Sequence, residues 1–270
     1  LREDVNFLVT NRIPRRYTTL LMGWFSRIPS RRLTKISVAA WSLFDDLQLD
    51  EAKTRDFATL RDCFVRELRV GARRIDPDPR VVTSPCDALV GSFGSVNEGE
   101  PIQAKGFPYS VKDLLGDEVL VNRHRGGKFV TLRLRASMYH RFHAACDGRV
   151  REVKYISGDT WNVNPVALKR VEKLFCKKER AVIAFELSAP GAYLTLAPIA
   201  AILVASIRLH FISGRAQSQL SRSHRNPMRL PLCQGPGAGL LRKRLDDCDV
   251  RIRRFRIYRQ HRRGLDDSRR

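Results

Sequence analysis

The 270-residue chain carries 50 Lys+Arg against 28 Asp+Glu, a formal net charge of +22, and is long enough to bury one large core or two small ones. Its six cysteines (Cys63, Cys86, Cys146, Cys176, Cys233 and Cys248) form no CxxC or His/Cys cluster, which argues against a metal site or disulfide framework and for a reducing compartment. The charge is uneven: residues 214–270 hold 16 basic and 5 acidic residues, residues 1–213 hold 34 and 23, so what the total says about a partner depends on the tail.

No secretory signal is read at the start, because Arg2 and Asp4 interrupt the first apolar residues. Residues 1 to about 70 read as helical. YTTLLMGWFSRI sets Leu20, Leu21, Trp24, Phe25 and Ile28 on one face among Arg15, Arg16, Arg27, Arg31 and Arg32. RLTKISVAAWSLFDDL repeats the pattern through Leu33, Ile36, Ala40, Leu43 and Leu47. Basic amphipathic helices bearing Trp and Phe suit the interface of an anionic bilayer; the same stripes also suit packing on the rest of the domain.

From Ile75 the texture changes to short runs rich in β-formers: RVVTSP, ALVGSFGSV, KFVTLRL, GRVREVKYI, AVIAFEL and AILVASIRLHF, with Asp147-Gly148 marking a tight turn. The uncharged stretch Ala192 to Ile207 contains Pro198 and is short for a membrane span, so buried strands are expected there. Together these predict an α+β fold: N-terminal amphipathic helices, then a mostly antiparallel β-rich core. The division expected is a helical membrane-associating region at 1–70, a β-rich catalytic core at 71–213 and a basic, poorly ordered tail at 214–270.

Chemistry concentrates in a few polar loops. SPCDALVG puts Asp87 in a turn before an apolar strand, and YHRFHAACDG follows a strand with His140 and His143. GDTWNVNP is a polar loop and LFCKKERAVIAFE returns to strand. An acid and a histidine on separate loops are what a general base with an orienting carboxylate needs. Taken singly, an Asp in a turn is more often an Asx-turn residue and a strand-end His more often a surface one.

In order, FVRELRVGARRIDPDPRVVTSPCDALVG, QAKGFPYSVKDLLG, YHRFHAACDG, GDTWNVNP and LFCKKERAVI resemble the phosphatidylserine decarboxylases, over the chain up to about Ile212. That resemblance implies a precursor that cuts itself before the serine of a C-terminal Gly-Ser-Thr. The serine becomes a covalent pyruvoyl group, which serves as electron sink while phosphatidylserine loses CO2 to give phosphatidylethanolamine. It further implies that Asp87 and His143 activate the serine for self-cleavage and that His140 assists decarboxylation or substrate placement. The partners implied are phosphatidylserine and an anionic membrane surface, with self-processed α and β chains and a homo-oligomer. The location implied is peripheral, on a bacterial cell membrane or a mitochondrial inner membrane. The chain departs from the family at Ala88, where Gly is usual, and at Ala145, where Pro is usual. No Gly-Ser-Thr follows Ile212.

The missing motif is expected in another reading frame. Cys233 to Asp249, CQGPGAGLLRKRLDDCD, can be encoded, with third codon positions chosen freely, by DNA that read one base later gives AKGQELGYFGNGSTTV. The serine codon then straddles Leu245 and Asp246, and a one-base insertion near Ser213–Gly214 accounts for the arginine-rich tail. The chain lacks the pyruvoyl-forming serine and is expected to be inactive as it stands. One alternative is a membrane-bound pseudoenzyme that keeps the fold without the chemistry; the other, a nucleic-acid-binding role for the tail, is disfavoured by the scarcity of aromatics and of any recognised module.

Overall fold

The computed structural model describes residues 15–76, 81–97, 107–159, 161, 165–187, 191–201, 207–211, 228–229 and 240–241. Two amphipathic helices open it, α1 (Arg15–Phe25) and α2 (Arg31–Ser42). Ser30 caps α2 by accepting from the Leu33 N–H, the residue type and spacing that satisfy a helix's orphan donors. The helical reading of residues 1–70 holds for these two segments. Past Ser42 the chain breaks into a turn, a single 3-10 turn at Leu49–Glu51 and the short helix α3 (Leu60–Phe64). Asp46 accepts from the Gln48 N–H and Gln48 is left-handed at φ 49°, so local side-chain bonding outcompetes helix there. α3 begins on a capping box in which Thr59 and Asp62 bond each other's backbone N–H.

Two antiparallel sheets follow. β1 (Leu89–Ser95) pairs with β2 (Lys128–Arg133) as a two-stranded ribbon. The second sheet has the order β5 (Tyr193–Leu196), β4 (Arg180–Leu187), β3 (Gly148–Ile156) and β6 (Met228–Arg229), with β7 (Leu240–Leu241) also pairing β3. The α+β arrangement with helices first is thus observed. RVVTSP is not a strand over its described residues: 81–84 form no ladder and instead lie against residues 143–145. Residues 207–211, the described end of AILVASIRLHF, form no strand either, whereas Tyr193–Leu196 does. Among the described residues no helix is long and apolar enough to cross a membrane.

The core sits on β3 and β4. Val150, Val153, Tyr155, Ala181, Ile183, Phe185 and Leu187 pack with Ala144, Ala145, Cys146 and Leu209 on one face. The odd spacing of Val150 and Val153 is made possible by a bulge between Val150 and Glu152, which returns both side chains to one side of the pleat. Val182 and Ala184 face the other way, onto Leu115 and Leu120 of α4 (Val111–Leu115) and α5 (Glu118–Arg123). Arg180, 4% exposed, donates to the carbonyls of Asp113, Leu114, Cys176 and Lys178, so a buried cation closes the C-terminus of α4. The expected Asp147-Gly148 turn is a bend that runs directly into β3. Glycine is required at 148 because a Cβ would lie 2.5 Å from the Glu186 carbonyl oxygen.

Candidate active site

Segments distant in sequence meet at the start of β3. The Thr83 N–H and Oγ1 both donate to the Ala145 carbonyl, at 3.2 and 3.1 Å, and the His143 N–H donates to the Pro85 carbonyl at 2.6 Å. The loop holding Asp87 and the loop holding both histidines are therefore one backbone-bonded unit. Because 81–84 form no sheet ladder, their backbone groups remain available for this cross-linking.

Asp87 is held from the other side. Arg73 Nε donates to Oδ1 and Oδ2 at 3.0 and 3.1 Å and Nη2 donates to Oδ2, a forked pair with planar specificity. Arg73 Nη1 also lies 2.7 Å from Glu51 Oε2, so one guanidinium serves two carboxylates. These bonds, the one to Asp87 first, push the Arg73 guanidinium above its ordinary range against the effect of burial. Among the described residues, the Asp87 carboxylate accepts its hydrogen bonds from Arg73, and its influence on His143 is through space.

His143 Nε2 lies 2.8 Å from the Tyr139 hydroxyl, and the two rings stack at 5.5 Å and 14°. Burial pushes its imidazolium down, Arg141 adds to this, the Asp87 charge opposes it and His210 adds again. His140 Nδ1 lies 2.8 Å from the Met138 carbonyl. A carbonyl only accepts, so the proton sits on Nδ1 and Nε2 is the basic nitrogen. The ring packs 3.8 Å from Phe64, which itself stacks on Trp41 at 6.2 Å. Burial pushes His140 down to about 4, a backbone hydrogen bond to Met138 opposes this, and nearby Arg66 adds to the lowering. Both rings are therefore neutral and proton-accepting at pH 7. Burial and the neighbouring Asp87 charge push the Cys86 thiol up to about 12, so it stays protonated and is a poor nucleophile.

A buried arginine ties the site to the helices. Arg66, 4% exposed, donates to the carbonyls of Cys63, Leu47 and Ser137 at 3.3, 2.8 and 3.1 Å, and Ser137 Oγ donates to Asp45 Oδ2 at 2.6 Å. The sequence pattern names Asp87, His140 and His143. It misses Arg73, Tyr139 and Arg66, although Arg73 and Arg66 lie inside a family motif: nothing in the string separates Arg73 from Arg74 or Arg69. Of the serines here, Ser137 donates to Asp45 and Ser84 Oγ donates to the Cys86 carbonyl at 2.7 Å. Neither stands in a Gly-Ser-Thr.

Comparison with known proteins gives a consistent answer. The sequence model of a family described as phosphatidylserine decarboxylase matches residues 60–241. A phosphatidylserine decarboxylase proenzyme of Vibrio parahaemolyticus is 40% identical over 179 residues, 64% of this chain and 62% of that protein. One from Aliivibrio fischeri is 40% identical over 170 residues, 61% and 56% of the two chains. One from Vibrio cholerae is 39% identical over 178 residues, 64% and 62%. The chain thus spans less than two thirds of the length of the curated relatives it matches. The family match passes Ile212, the end of the resemblance seen in the sequence motifs, and reaches residue 241.

Proposed function

This chain belongs to the phosphatidylserine decarboxylase family, and we propose that its gene encodes an enzyme converting phosphatidylserine to phosphatidylethanolamine and CO2, whose self-processing serine lies one base out of the frame that this chain translates. The roles proposed are these. Asp87, oriented by the Arg73 guanidinium, stabilises positive charge on His143. His143 accepts the proton of the serine hydroxyl during self-cleavage. His140 offers Nε2 to the substrate side of the site. The pyruvoyl group, once formed from that serine, supplies the electron sink; the translated frame cannot form it.

One observation carries the reading: the Thr83 bonds to the Ala145 carbonyl and the His143 bond to the Pro85 carbonyl join the Asp87 loop and the histidine loop into one unit, which supports a relay that activates a serine. Residues 242–250 lie outside the described residues, as does most of the expected poorly ordered tail.

The test is activity in the chain with one base deleted near codon 213. It releases CO2 from phosphatidylserine after self-cleavage. Asp87→Asn and His143→Ala leave the restored precursor uncut, whereas His140→Gln still cuts and loses decarboxylation by about 10²-fold or more, the range of a lost general acid or base. A restored precursor that cuts normally with His143→Ala contradicts the assignment.

The partner proposed is an anionic membrane surface, engaged by the basic N-terminal helices. Of the stripe read in the sequence, Leu20, Leu21 and Trp24 are 69, 62 and 64% exposed, beside Tyr17 at 75%, while Phe25 and Ile28 are half-buried. The second stripe divides: Ile36 and Leu43 are 68 and 84% exposed while Leu47 is buried at 2%.

A further inference from the structure

The hydroxyl of Tyr139 lies 2.8 Å from Nε2 of His143, and the planes of the two stacked rings are 14° apart. A phenol is the stronger donor of such a pair and an unprotonated imidazole nitrogen the stronger acceptor. With His143 neutral, the hydroxyl donates and Nε2 is the nitrogen without a proton. The lone pair that would take a proton from a nucleophile is therefore engaged by a side chain of the same loop.

The phenol is not placed to let go. Tyr139 is 7% exposed. Ahead of it, the Ser137 carbonyl accepts from Arg66 and the Ser137 hydroxyl donates to Asp45. Beside it, the Met138 N–H donates to the Arg135 carbonyl at 3.1 Å and the Met138 carbonyl accepts from His140 Nδ1. Past it, the His143 N–H is fixed to the Pro85 carbonyl. The stretch is pinned at both ends, and swinging the phenol off Nε2 would unstack a buried ring. A hydroxyl keeps acceptor lone pairs while it donates, so it takes up one proton as it gives away another.

We propose that Tyr139 is the proton relay between His143 and the nucleophile that His143 activates. The inference rests on the self-processing reading above and adds the route by which the proton travels. The Oγ–H bond of the serine breaks and its proton goes to Tyr139 Oη, whose own proton goes to His143 Nε2. The electron pair freed on Oγ forms the bond to the preceding carbonyl carbon, and the π pair of that carbonyl goes to its oxygen. Tyr139 ends neutral, as it began. The charges formed are the new oxyanion and the His143 imidazolium, which lies in the field of the Asp87 carboxylate.

Two samples test the relay. In the full chain with isotope-labelled histidine, nitrogen NMR shows His143 Nε2, assigned by its loss in His143→Gln, as an unprotonated nitrogen that accepts a hydrogen bond. Tyr139→Phe keeps the ring and removes the hydroxyl. Nε2 then loses its hydrogen-bond shift and His143 binds protons about fivefold more tightly, because a bond that favoured the neutral ring is gone. Asp87, Arg141 and His210, the ionisable groups that act on His143, remain in the variant. The resonances of His140, bonded to Met138, stay in place, which separates a lost bond from a folding defect. In the chain with one base deleted near codon 213, Tyr139→Phe slows self-cleavage about 10²-fold, the lower range for a lost proton-transfer group. The solvent isotope dependence changes from that of two protons in flight to that of one. If Tyr139 only occupies Nε2 until the serine displaces it, Tyr139→Phe cuts as fast as the parent or faster, and this overturns the relay alone. So does a His143 resonance that Tyr139→Phe leaves unmoved. A restored parent that stays uncut, or that cuts normally with His143→Ala, overturns the self-processing reading and the relay with it.

Discussion

His140 occupies a place where a proton is unwelcome, against the Phe64 ring and near the Arg66 cation. Its ordinary value is 6.5 and burial takes it to about 4, so between those pH values the unfolded chain takes up a proton that the folded chain refuses. Stability is therefore full above about pH 6.5 and falls as pH drops toward 4. From pH 7 to pH 5 the loss from this residue is on the order of 1–2 kcal/mol, allowing for its partial exposure. His143 is shifted the same way and adds to the slope. Urea denaturation at the two pH values measures it: His140→Gln is expected to lessen the drop, and an equal drop in both proteins contradicts burial of the ring as its cause. The residues of the site divide by how far their partners lie in sequence. Asp87 and the two histidines stand out in the sequence because an acid and two imidazoles in polar loops are residue types that move protons. Arg73, Arg66 and Trp41 do not, because what makes them matter is contact with residues far along the chain, such as Asp87 for Arg73 and Ser137 for Arg66.

Elements are legible where one periodicity rules. GRVREVKYI and AVIAFEL form β3 and β4, buried in alternation on two faces. RVVTSP has the composition of a strand, but its residues serve backbone bonds to the histidine loop instead of a ladder. α4 and α5 escape the sequence reading although their signals are present: Ser110 and Asp113 form a capping box, and Asp117 accepts from the N–H groups of Val119 and Leu120. The amphipathic character of α1 and α2 is visible from sequence, but not whether their stripes face protein or solvent. Exposure of Tyr17, Leu20, Leu21 and Trp24 gives the membrane reading a definite expectation. Binding of this chain to phosphatidylglycerol vesicles falls steeply between low and high salt, because surface charges are screened over about 10 Å at 0.1 M. Leu21→Ser/Trp24→Ser weakens it at both salts. Salt-independent binding, equal on neutral vesicles, contradicts an electrostatic seat.

At the scale of the molecule, a net charge of +22 overstates what is available to a partner. Arg66, Lys154, Lys178 and Arg180 are buried, at 4, 8, 1 and 4% exposure. Arg66, Lys154 and Arg180 hold backbone carbonyls. Burial pushes Lys178 down to about 7, which removes part of its charge near neutral pH. Much of the remaining excess belongs to residues 214–270, and under the proposed frame shift it is a by-product of reading rather than a selected surface. Intact-mass spectrometry decides whether the serine is encoded out of frame. The unaltered chain should remain a single full-length polypeptide, while the chain with one base deleted near codon 213 should yield two fragments, the C-terminal one blocked by a pyruvoyl group. A pyruvoyl-ended fragment from the unaltered chain, or a restored chain that stays whole, would contradict the account.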